Sequence, residues 1–208
     1  MFMCLILNLF FEINNCPQFS VLVNDETLYI GSTEFVPQSG NLLDVIPRFN
    51  KEFSVELEVK LTAKSPNQWT NLIQITRGNG GMTNPGDRMP LISVRPNSHR
   101  IHISACVVSG NTNFNINYPA DESGAIAENV WTKIKVEQYL EKGKYFYAIH
   151  IDGNELVNVE NTTPYILDNM KVQACGDGKC DIAYAAIRNF KVRNISPSKF
   201  HCCLNQIQ

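Results

Sequence analysis

Residues 53–61 alternate strictly between apolar and polar side chains, and this pattern constrains the fold more than any other feature of the chain. Phe53, Val55, Leu57, Val59 and Leu61 occupy the odd positions, whereas Ser, Glu and Lys side chains occupy the even ones. Successive side chains of a β-strand point to opposite faces, so one face of this segment meets a core and the other meets water. A helix would scatter the same apolar residues around its circumference. The pattern therefore predicts a half-buried strand.

Short runs of the same kind continue along the rest of the chain. They span residues 69–76, 91–95, 100–108, 113–118, 130–139, 144–151, 156–159, 170–174 and 186–192. Turn-forming clusters separate these runs, and the Asp152-Gly153 pair predicts a tight hairpin. Residues 120–129 have room for one short helical turn, and the less regular first 45 residues are expected to add edge strands. The pattern predicts an all-β fold, a two-sheet antiparallel sandwich of the jelly-roll kind.

The charge of the chain excludes some classes of function. The 208 residues include 18 Lys and Arg against 20 Asp and Glu, a formal net charge of -2. Such a balance creates no field strong enough to collect nucleic acid or an anionic membrane. An apolar fraction of 44% provides a core for one sandwich domain. We therefore expect no nucleic-acid partner and no membrane insertion of the folded domain.

Both ends of the chain differ from its middle. Residues 1–15 begin with an apolar run whose length suits a signal peptide, but no Lys or Arg precedes it, so a buried first strand stays open as the alternative. Residues 16–195 are assigned to the sandwich and residues 196–208 to a polar, cysteine-containing tail. The seven cysteines favour an oxidising compartment, and their odd number offers a route to a covalent homo-oligomer.

Four segments together resemble the laminin G-like and concanavalin A-like superfamily. Residues 130–136 (VWTKIKV) and 145–153, which end in an apolar residue followed by Asp-Gly, resemble a characteristic pair of strands in these domains. Residues 53–59 resemble the strand that begins many of them, and residues 186–192 resemble their usual last core strand. The resemblance covers roughly residues 50–193.

The resemblance implies a concanavalin A-like sandwich in a secreted or surface-displayed protein. Lectins, adhesion modules and some glycoside hydrolases share this architecture, so the fold by itself does not fix the function. The implied function is an extracellular binding module that recognises a glycan or glycoprotein through rim loops, in some members with calcium. The alternatives are a protein–protein adhesion or matrix module without sugar specificity and, third, a glycoside hydrolase on the same fold.

The loop of residues 78–89 (GNGGMTNPGDRM) is the candidate calcium site. Calcium takes six to eight oxygen ligands, which Asp, Asn and main-chain carbonyls supply. Asp87 is the only carboxylate in the loop and Asn84 is a neutral partner, while Arg88 is a candidate ligand-binding residue. The alternative is a solvated loop in which Asp87 pairs with Arg88 or caps a turn.

The loop of residues 109–117 (SGNTNFNIN) is the candidate glycan site. Amide side chains around an aromatic ring are suited to grip sugar hydroxyls and to stack on a pyranose ring. The ligand-binding candidates in this loop are Asn111, Asn113, Phe114 and Asn115. The alternative is an edge strand whose Phe114 ring packs into the core.

Cysteines and sequons supply further candidates. Cys175 and Cys180 enclose two glycines and are predicted to close a small disulfide loop, with free thiols or zinc as alternatives. Cys106 lies within a predicted strand, which favours a buried thiol. Asn161 and Asn194 begin Asn-x-Ser/Thr sequons and are candidate glycosylation sites, although a proline follows each sequon.

The search for catalytic groups finds one pair of acids. Glu56 and Glu58 share a strand face, an arrangement that sandwich-fold glycoside hydrolases also use. No Asp joins the row and Lys60 follows it, so a solvated outer face is the preferred interpretation. The four histidines show no metal-ligand spacing, and phosphate loops and nucleophile elbows are absent from the sequence. We therefore predict a protein that is not an enzyme and has no cofactor except calcium.

Overall fold

The computed structural model describes residues 26–78, 81–106, 108–111, 113–176 and 184–195, with the backbone alone for residues 26–30. These residues form strands joined by turns and loops. The strands are β1 (Glu26–Gly31), β2 (Asn41–Phe49), β3 (Glu52–Leu61), β4 (Thr70–Thr76), β5 (Leu91–Val94), β6 (Ile101–Ala105), β7 (Phe114–Tyr118), β8 (Trp131–Glu141), β9 (Lys144–Ile151), β10 (Asn154–Glu160), β11 (Leu167–Ala174) and β12 (Ala185–Ile195).

The strands form two six-stranded sheets in which every described pair is antiparallel. Sheet A has the order β1-β12-β3-β8-β9-β10, and sheet B has the order β2-β11-β4-β5-β6-β7. The prediction of an all-β, two-sheet antiparallel sandwich is therefore confirmed. β1 and β2 each lie at one edge of a sheet, as expected for the irregular N-terminal region.

The core lies between the two sheets and is built by period-two alternation. Phe53, Val55, Leu57, Val59 and Leu61 on β3 are all buried in it, as the sequence pattern predicts. Facing strands contribute alternate residues in the same way, and the rings of Phe49 and Phe53 lie 4.7 Å apart between their centroids. Burial of these side chains is the main source of stability for a sandwich of this kind.

Local predictions hold in most places. Asp152 and Gly153 have φ angles of 50° and 82°, the left-handed values that a two-residue hairpin turn requires. The short helical turn expected in residues 120–129 is wrong, because these residues form bends and non-helical turns. In the described part of the chain, no helix has the length and apolar character needed to cross a membrane. The predicted leader (residues 1–15) and tail (residues 196–208) lie outside the described residues.

The outer faces of the two sheets differ in burial. β3 and β8 bury alternate residues, as expected for strands with one face in water. All residues of β4 and β5 are buried, including those that point away from the core. Two loop segments fold over this part of sheet B: Gln74 Nε2 donates to the Asp87 carbonyl at 3.2 Å, and Asn71 Nδ2 donates to the Gly176 carbonyl at 3.0 Å. Sheet B therefore has a partly covered, polar outer face.

Candidate functional site

The outer face of sheet A is occupied by ion pairs. Arg188 donates to the Glu58 carboxylate at 2.7 and 2.8 Å, and Asn189 donates to its second oxygen at 2.8 Å. The hydrogen bond from Asn189, followed by the bond and charge of Arg188, lowers the pKa of Glu58 despite its partial burial. A general acid needs a raised pKa instead. Glu58 is therefore a structural carboxylate on a solvated face, in agreement with the preferred interpretation.

Two other cations of sheet A are also paired. Lys60 contacts Glu34 at 3.0 Å, and Lys135 contacts Glu137 at 2.7 Å. The ring of Trp131 lies beneath Lys60 and Arg188, at 4.6 and 4.1 Å from the ring centroid. This face has balanced charge, and its one tryptophan is already covered by cations.

The outer face of sheet B has a different composition. Its strand register places polar residues opposite one another across the central strands. The opposed pairs are Asn117–His102, Asn115–Ser104, His102–Ser93, Ser93–Asn71 and Gln74–Gln173. The neighbours of these residues, such as Ile92, Val94, Ile101 and Ile103, point into the core. A row of amide and hydroxyl groups therefore crosses this face.

Several polar atoms on this face have unused hydrogen-bonding capacity. Gln74 Oε1, Gln173 Oε1, Ser93 Oγ and Arg88 Nε are buried and have no hydrogen-bond partner among the described residues. A buried polar atom without a partner costs about 1–3 kcal/mol, so native proteins contain few of them. Thr70 Oγ1 on β4 is a further such atom, whereas Tyr147 Oη and Arg193 Nε belong to sheet A. The atoms at sheet B are enclosed by the protein, so they form a polar layer beneath its outer face rather than groups open to a ligand.

An aromatic cluster lies at one end of this polar row. Trp69, which precedes β4, is 38% exposed and packs edge-on against His102 with 4.8 Å between ring centroids. The guanidinium of Arg95 lies 5.8 Å from the centre of the Trp69 ring. His102 Nδ1 lies 2.9 Å from Asn117 Oδ1, and an amide oxygen accepts, so Nδ1 carries the proton of this bond.

The charge state of His102 follows from its surroundings. Desolvation by burial is the main cause that lowers the pKa of His102, and the nearby charges of Arg88 and Arg95 lower it further. The hydrogen bond to Asn117 opposes this shift. The imidazole is therefore neutral at physiological pH, and the two guanidinium groups carry the positive charge at this site.

We define the sheet B site as Trp69, Ser93, Arg95, His102, Ser104, Asn115, Asn117 and Arg88. Arg88 joins it because its Nη1 donates to Ser104 Oγ at 3.3 Å. Two of the predicted ligand-binding residues, Arg88 and Asn115, are thus brought together across Ser104. The two asparagine amides, the Trp69 indole and the two guanidinium groups are at least partly exposed, whereas Ser93 and Ser104 are each 1% exposed.

The position of Phe114 disfavours its predicted role as a sugar platform. Its ring is partly buried, packs against the core and meets Tyr147 edge-on at 5.7 Å between centroids. Alternation along β7 sends residues 114, 116 and 118 inward and Asn115 and Asn117 outward. This geometry favours the alternative, an edge strand with its aromatic ring towards the core, and the role of Phe114 in ligand binding stays a prediction.

Asn111 and Asn113 lie in the connection that leads to β7, and both are exposed. Asn111 Oδ1 accepts a hydrogen bond from the Asn113 backbone N–H at 2.9 Å, so its oxygen stabilises the local turn. Neither residue is a member of the sheet B site. Their role in ligand binding stays a prediction.

Asp87 caps a turn, which was the alternative to a calcium site. Its carboxylate is 2% exposed and accepts hydrogen bonds from the backbone N–H groups of Thr83 and Asn84 at 3.2 and 2.9 Å. Asn84 also directs its amide N–H group, not its oxygen, at this carboxylate. All three N–H groups are directed at Oδ2 of Asp87, where their positive dipoles oppose the approach of a cation. Calcium binding at Asp87 and Asn84 stays a prediction that this geometry disfavours.

The two candidate glycosylation sites are buried, which disfavours glycosylation there, so their use stays a prediction. Asn161 and Asn194 are 3% and 2% exposed. Their Nδ2 atoms donate to Gln138 Oε1 at 2.6 Å and to the Arg48 carbonyl at 2.7 Å. A glycan is attached at this same nitrogen, so attachment would expose the amide and remove its bond.

The cysteines are only partly described. Cys106 is a buried free thiol, as predicted, and desolvation raises its pKa to about 11. Cys175 is buried at the end of β11, whereas Cys180 lies outside the described residues, so their disulfide stays a prediction. Among the described residues, no group of three or more His, Cys, Asp or Glu side chains is placed to hold a metal ion.

Sequence reasoning missed most of the sheet B site because it searched the loops. Trp69, Arg95 and His102 lie on strands or immediately beside them. One signal was available: strands β4 to β7 contain no Asp or Glu at any position. Outward positions of solvated strands normally mix both signs of charge, so this lack of acids indicates a specialised face.

The fold has relatives among solved structures, although no family model and no curated protein matches the sequence. The receptor binding domain of botulinum neurotoxin D aligns with 84% of this chain at 16% identity and a TM-score of 0.53. A second structure, of the botulinum neurotoxin serotype D binding domain, gives the same values. This chain spans only 43% and 42% of the lengths of those two chains.

A weaker similarity is to the CBM40 module of the Ruminococcus gnavus IT-sialidase, with 11% identity and a TM-score of 0.44 over 79% of this chain and 91% of that one. A match at this level carries no argument. At the identities found, the comparisons show the two-sheet β-sandwich fold alone.

Proposed function

We propose that this chain is a non-catalytic carbohydrate-binding module and that the sheet B site receives the glycan. The observation that supports it is a group of at least partly exposed polar side chains beside the ring of Trp69, which is 38% exposed. These side chains are Arg88, Arg95, His102, Asn115 and Asn117. Sugar hydroxyls both donate and accept, which matches a mixed set of amides and guanidinium groups. The apolar face of a pyranose packs on an indole ring.

This proposal moves the binding surface from the rim loops to a sheet face. Side chains on adjacent strands are held by the ladder of backbone hydrogen bonds, so their spacing is maintained without ligand. Asn115, His102 and Ser93 lie on three neighbouring strands. Binding in this proposal needs no calcium, because Asp87 is engaged in its turn.

The proposal also includes the family and the location. We assign the chain to the laminin G-like or concanavalin A-like group on its sandwich fold and on the four sequence segments described above. A secreted or surface-displayed protein fits a receptor-binding domain of similar fold and a disulfide between Cys175 and Cys180. Peptide mapping without reducing agent tests that disulfide directly.

The first experiment uses the two tryptophans as separate reporters, since the chain contains only two. A Trp131→Phe variant leaves Trp69 as the sole fluorophore, and a Trp69→Phe variant leaves Trp131 on the opposite face. Both variants are screened on an array of immobilised neutral and acidic oligosaccharides, and the strongest binder is then titrated in solution. We expect the fluorescence of Trp69 to change on titration and that of Trp131 to stay constant.

The matched variants make the outcome specific. Trp69→Ala is expected to lower the affinity for the glycan by about tenfold or more. This factor corresponds to the loss of one contact in which a ring stacks on an aromatic side chain, about 1–3 kcal/mol. Trp131→Ala serves as the control. Glycan binding reported by Trp131, or no glycan bound by the unaltered chain, would overturn the proposal.

A second candidate function is a protein-binding module, and one observation favours it. Leu42 and Val45 on edge strand β2 are 50% and 42% exposed, beside Gln173 and Lys171 of the same sheet. Exposed apolar side chains next to a polar row are typical of protein interfaces. An extracellular protein partner that is lost in a Leu42→Ser, Val45→Ser variant, together with an empty glycan array, would favour this candidate.

A further inference from the structure

We propose that the glycan is acidic and that Arg88 holds its carboxylate, with Arg95 as a second cation. This inference rests on the proposed function, because it names the class of sugar for the sheet B site. It comes from the distribution of charge on this face and from the geometry of Arg88.

Three cations on or beside sheet B, Arg88, Arg95 and Lys171, form no ion pair within the described part of the chain. On sheet A, Arg188, Lys60 and Lys135 are paired, whereas Lys133, Lys191 and Arg193 are not paired with any described residue. The nearest acid in sequence, Asp87, directs its carboxylate to the backbone of its own turn. The positive charge of this face is therefore available to a ligand.

The side chain of Arg88 has one edge engaged by Ser104, and its Nε is buried without a partner among the described residues. The bond to Ser104 Oγ is donated by Nη1. The backbone is held in place because the Cys106 N–H donates to the Arg88 carbonyl at 2.9 Å. The Nε and Nη2 groups of a guanidinium point in parallel and match the two oxygens of a carboxylate.

Arg95 places the second cation beyond His102. The charges of both arginines act on the His102 ring, and Arg95 lies over Trp69, which packs against that ring. Ser104 and His102 are two positions apart on β6, a spacing of roughly 7 Å for a strand. Both cations therefore lie near His102, and in the proposed complex the acid group of the sugar contacts Arg88 while its ring contacts Trp69.

The test compares sugars that differ in charge alone. Oligosaccharides ending in glucuronic acid, galacturonic acid or sialic acid are each paired with their carboxyl methyl esters. Binding to the unaltered chain is measured by calorimetry at low and high salt. We expect the free acids to bind about 10- to 100-fold more tightly than their esters, the effect of one charged hydrogen-bonded contact. This difference should shrink as salt rises.

Variants then locate the carboxylate. Arg88→Gln should abolish the difference between acid and ester, and Arg88→Lys should restore only part of it because the ammonium lacks the planar fork. Arg95→Gln should lower the affinity for the acidic sugars by a smaller factor than Arg88→Gln does. Lys133→Gln, an exposed residue on sheet A, is the control for the change in net charge. Melting curves confirm that each variant is folded.

The outcomes separate this inference from the proposed function. If esters and neutral sugars bind as tightly as the free acids, the inference that the glycan is acidic is wrong, while the carbohydrate-binding proposal remains. Preference for the acids that survives in Arg88→Gln would overturn the role of Arg88. If sulfated sugars bind more tightly than every carboxylated sugar, the assignment of the acid group as a carboxylate is wrong. Absence of binding to all probes would overturn both proposals.

Discussion

His102 illustrates how the fold changes the chemistry of a residue that looks unremarkable in the sequence. Its ring is held between Trp69 and Asn117, with Arg88 and Arg95 as the charged groups that act on it. Burial and these two cations lower its pKa below the value of 6.5 for a free imidazole. The unfolded chain therefore binds a proton at His102 more readily than the folded chain.

This difference predicts a pH dependence of stability. As the pH falls from 7 through about 6.5 and below, protonation of His102 favours the unfolded state, so the free energy of unfolding should decrease. A His102→Gln variant should lose that part of the decrease. Urea unfolding at a series of pH values measures both curves. Equal slopes for the variant and the unaltered chain would contradict the prediction.

Asp87 is a second residue whose role depends on its local turn. Replacing it with Ala removes the acceptor of the Thr83 and Asn84 backbone N–H groups. Both residues are exposed and water can replace part of this bonding, so we expect a loss of about 0.5–1.5 kcal/mol. Asp87→Asn keeps one oxygen acceptor and should lose less. Calcium should leave the melting temperature of the unaltered chain unchanged. A rise with calcium that a chelator reverses and Asp87→Ala removes would show a cation site instead.

At the scale of elements, buried asparagines connect segments that the sheet hydrogen bonds do not join. Asn161, after β10, accepts bonds from the backbone N–H groups of Ser109 and Thr163 at 2.9 and 3.1 Å. Its amide donates to Gln138 on β8. One side chain therefore ties the turn at residues 108–111 of sheet B to sheet A.

Removal of this side chain should loosen the turn. Asn161→Ala is expected to destabilise the protein by about 1–3 kcal/mol, since several buried partners lose their bonds. The Ser109 amide should then exchange with deuterium faster than the amides of β8. Asn113→Ala, an exposed residue in the same region, is the control and should change neither quantity. Unchanged exchange at Ser109 in Asn161→Ala would contradict this role of the side chain.

The strands themselves were predictable for a local reason. Alternation in residues 53–61 and 144–151 reports which face of each strand is buried, and β3 and β9 lie where it indicates. The Asp152-Gly153 hairpin also follows from local backbone preferences. β10 and β11 are longer than expected, because exposed residues such as Asn154 pair with a neighbouring strand and leave no apolar signal.

At the scale of the whole molecule, the outer faces of the two sheets carry different charged and aromatic side chains. Sheet A presents paired charges to water, and its Trp131 is covered by Lys60 and Arg188. Strands β4 to β7 of sheet B carry no Asp or Glu, and Trp69 beside them is 38% exposed, with Arg95 5.8 Å from its ring centre. A uniform solvent-facing surface would have mixed charge on both sides. This asymmetry is the basis for assigning function to sheet B.

The candidate site was less predictable than the fold. The sequence indicated Arg88 and Asn115 as ligand-binding residues, yet it assigned them to two separate loops. They meet because β6 lies between β5 and β7, which brings Ser104 beside both. The sequence could not show which way the Phe114 ring points, because residues 113–118 do not identify which of their two alternating sets faces the core. The packing of Phe114 against Tyr147 shows that residues 114, 116 and 118 point inward.

The sequence by itself determined the all-β class, the position of most strands and the set of apolar residues that form the core. These properties depend on side-chain periodicity and turn preferences, which act over a few neighbouring residues. The tertiary structure alone decided that Gln74 faces Gln173, that Asp87 is engaged in its own turn, and that Trp69, His102 and Arg95 form one cluster. Strand order and register set these contacts, and both arise from the simultaneous burial of distant segments, which no local pattern specifies.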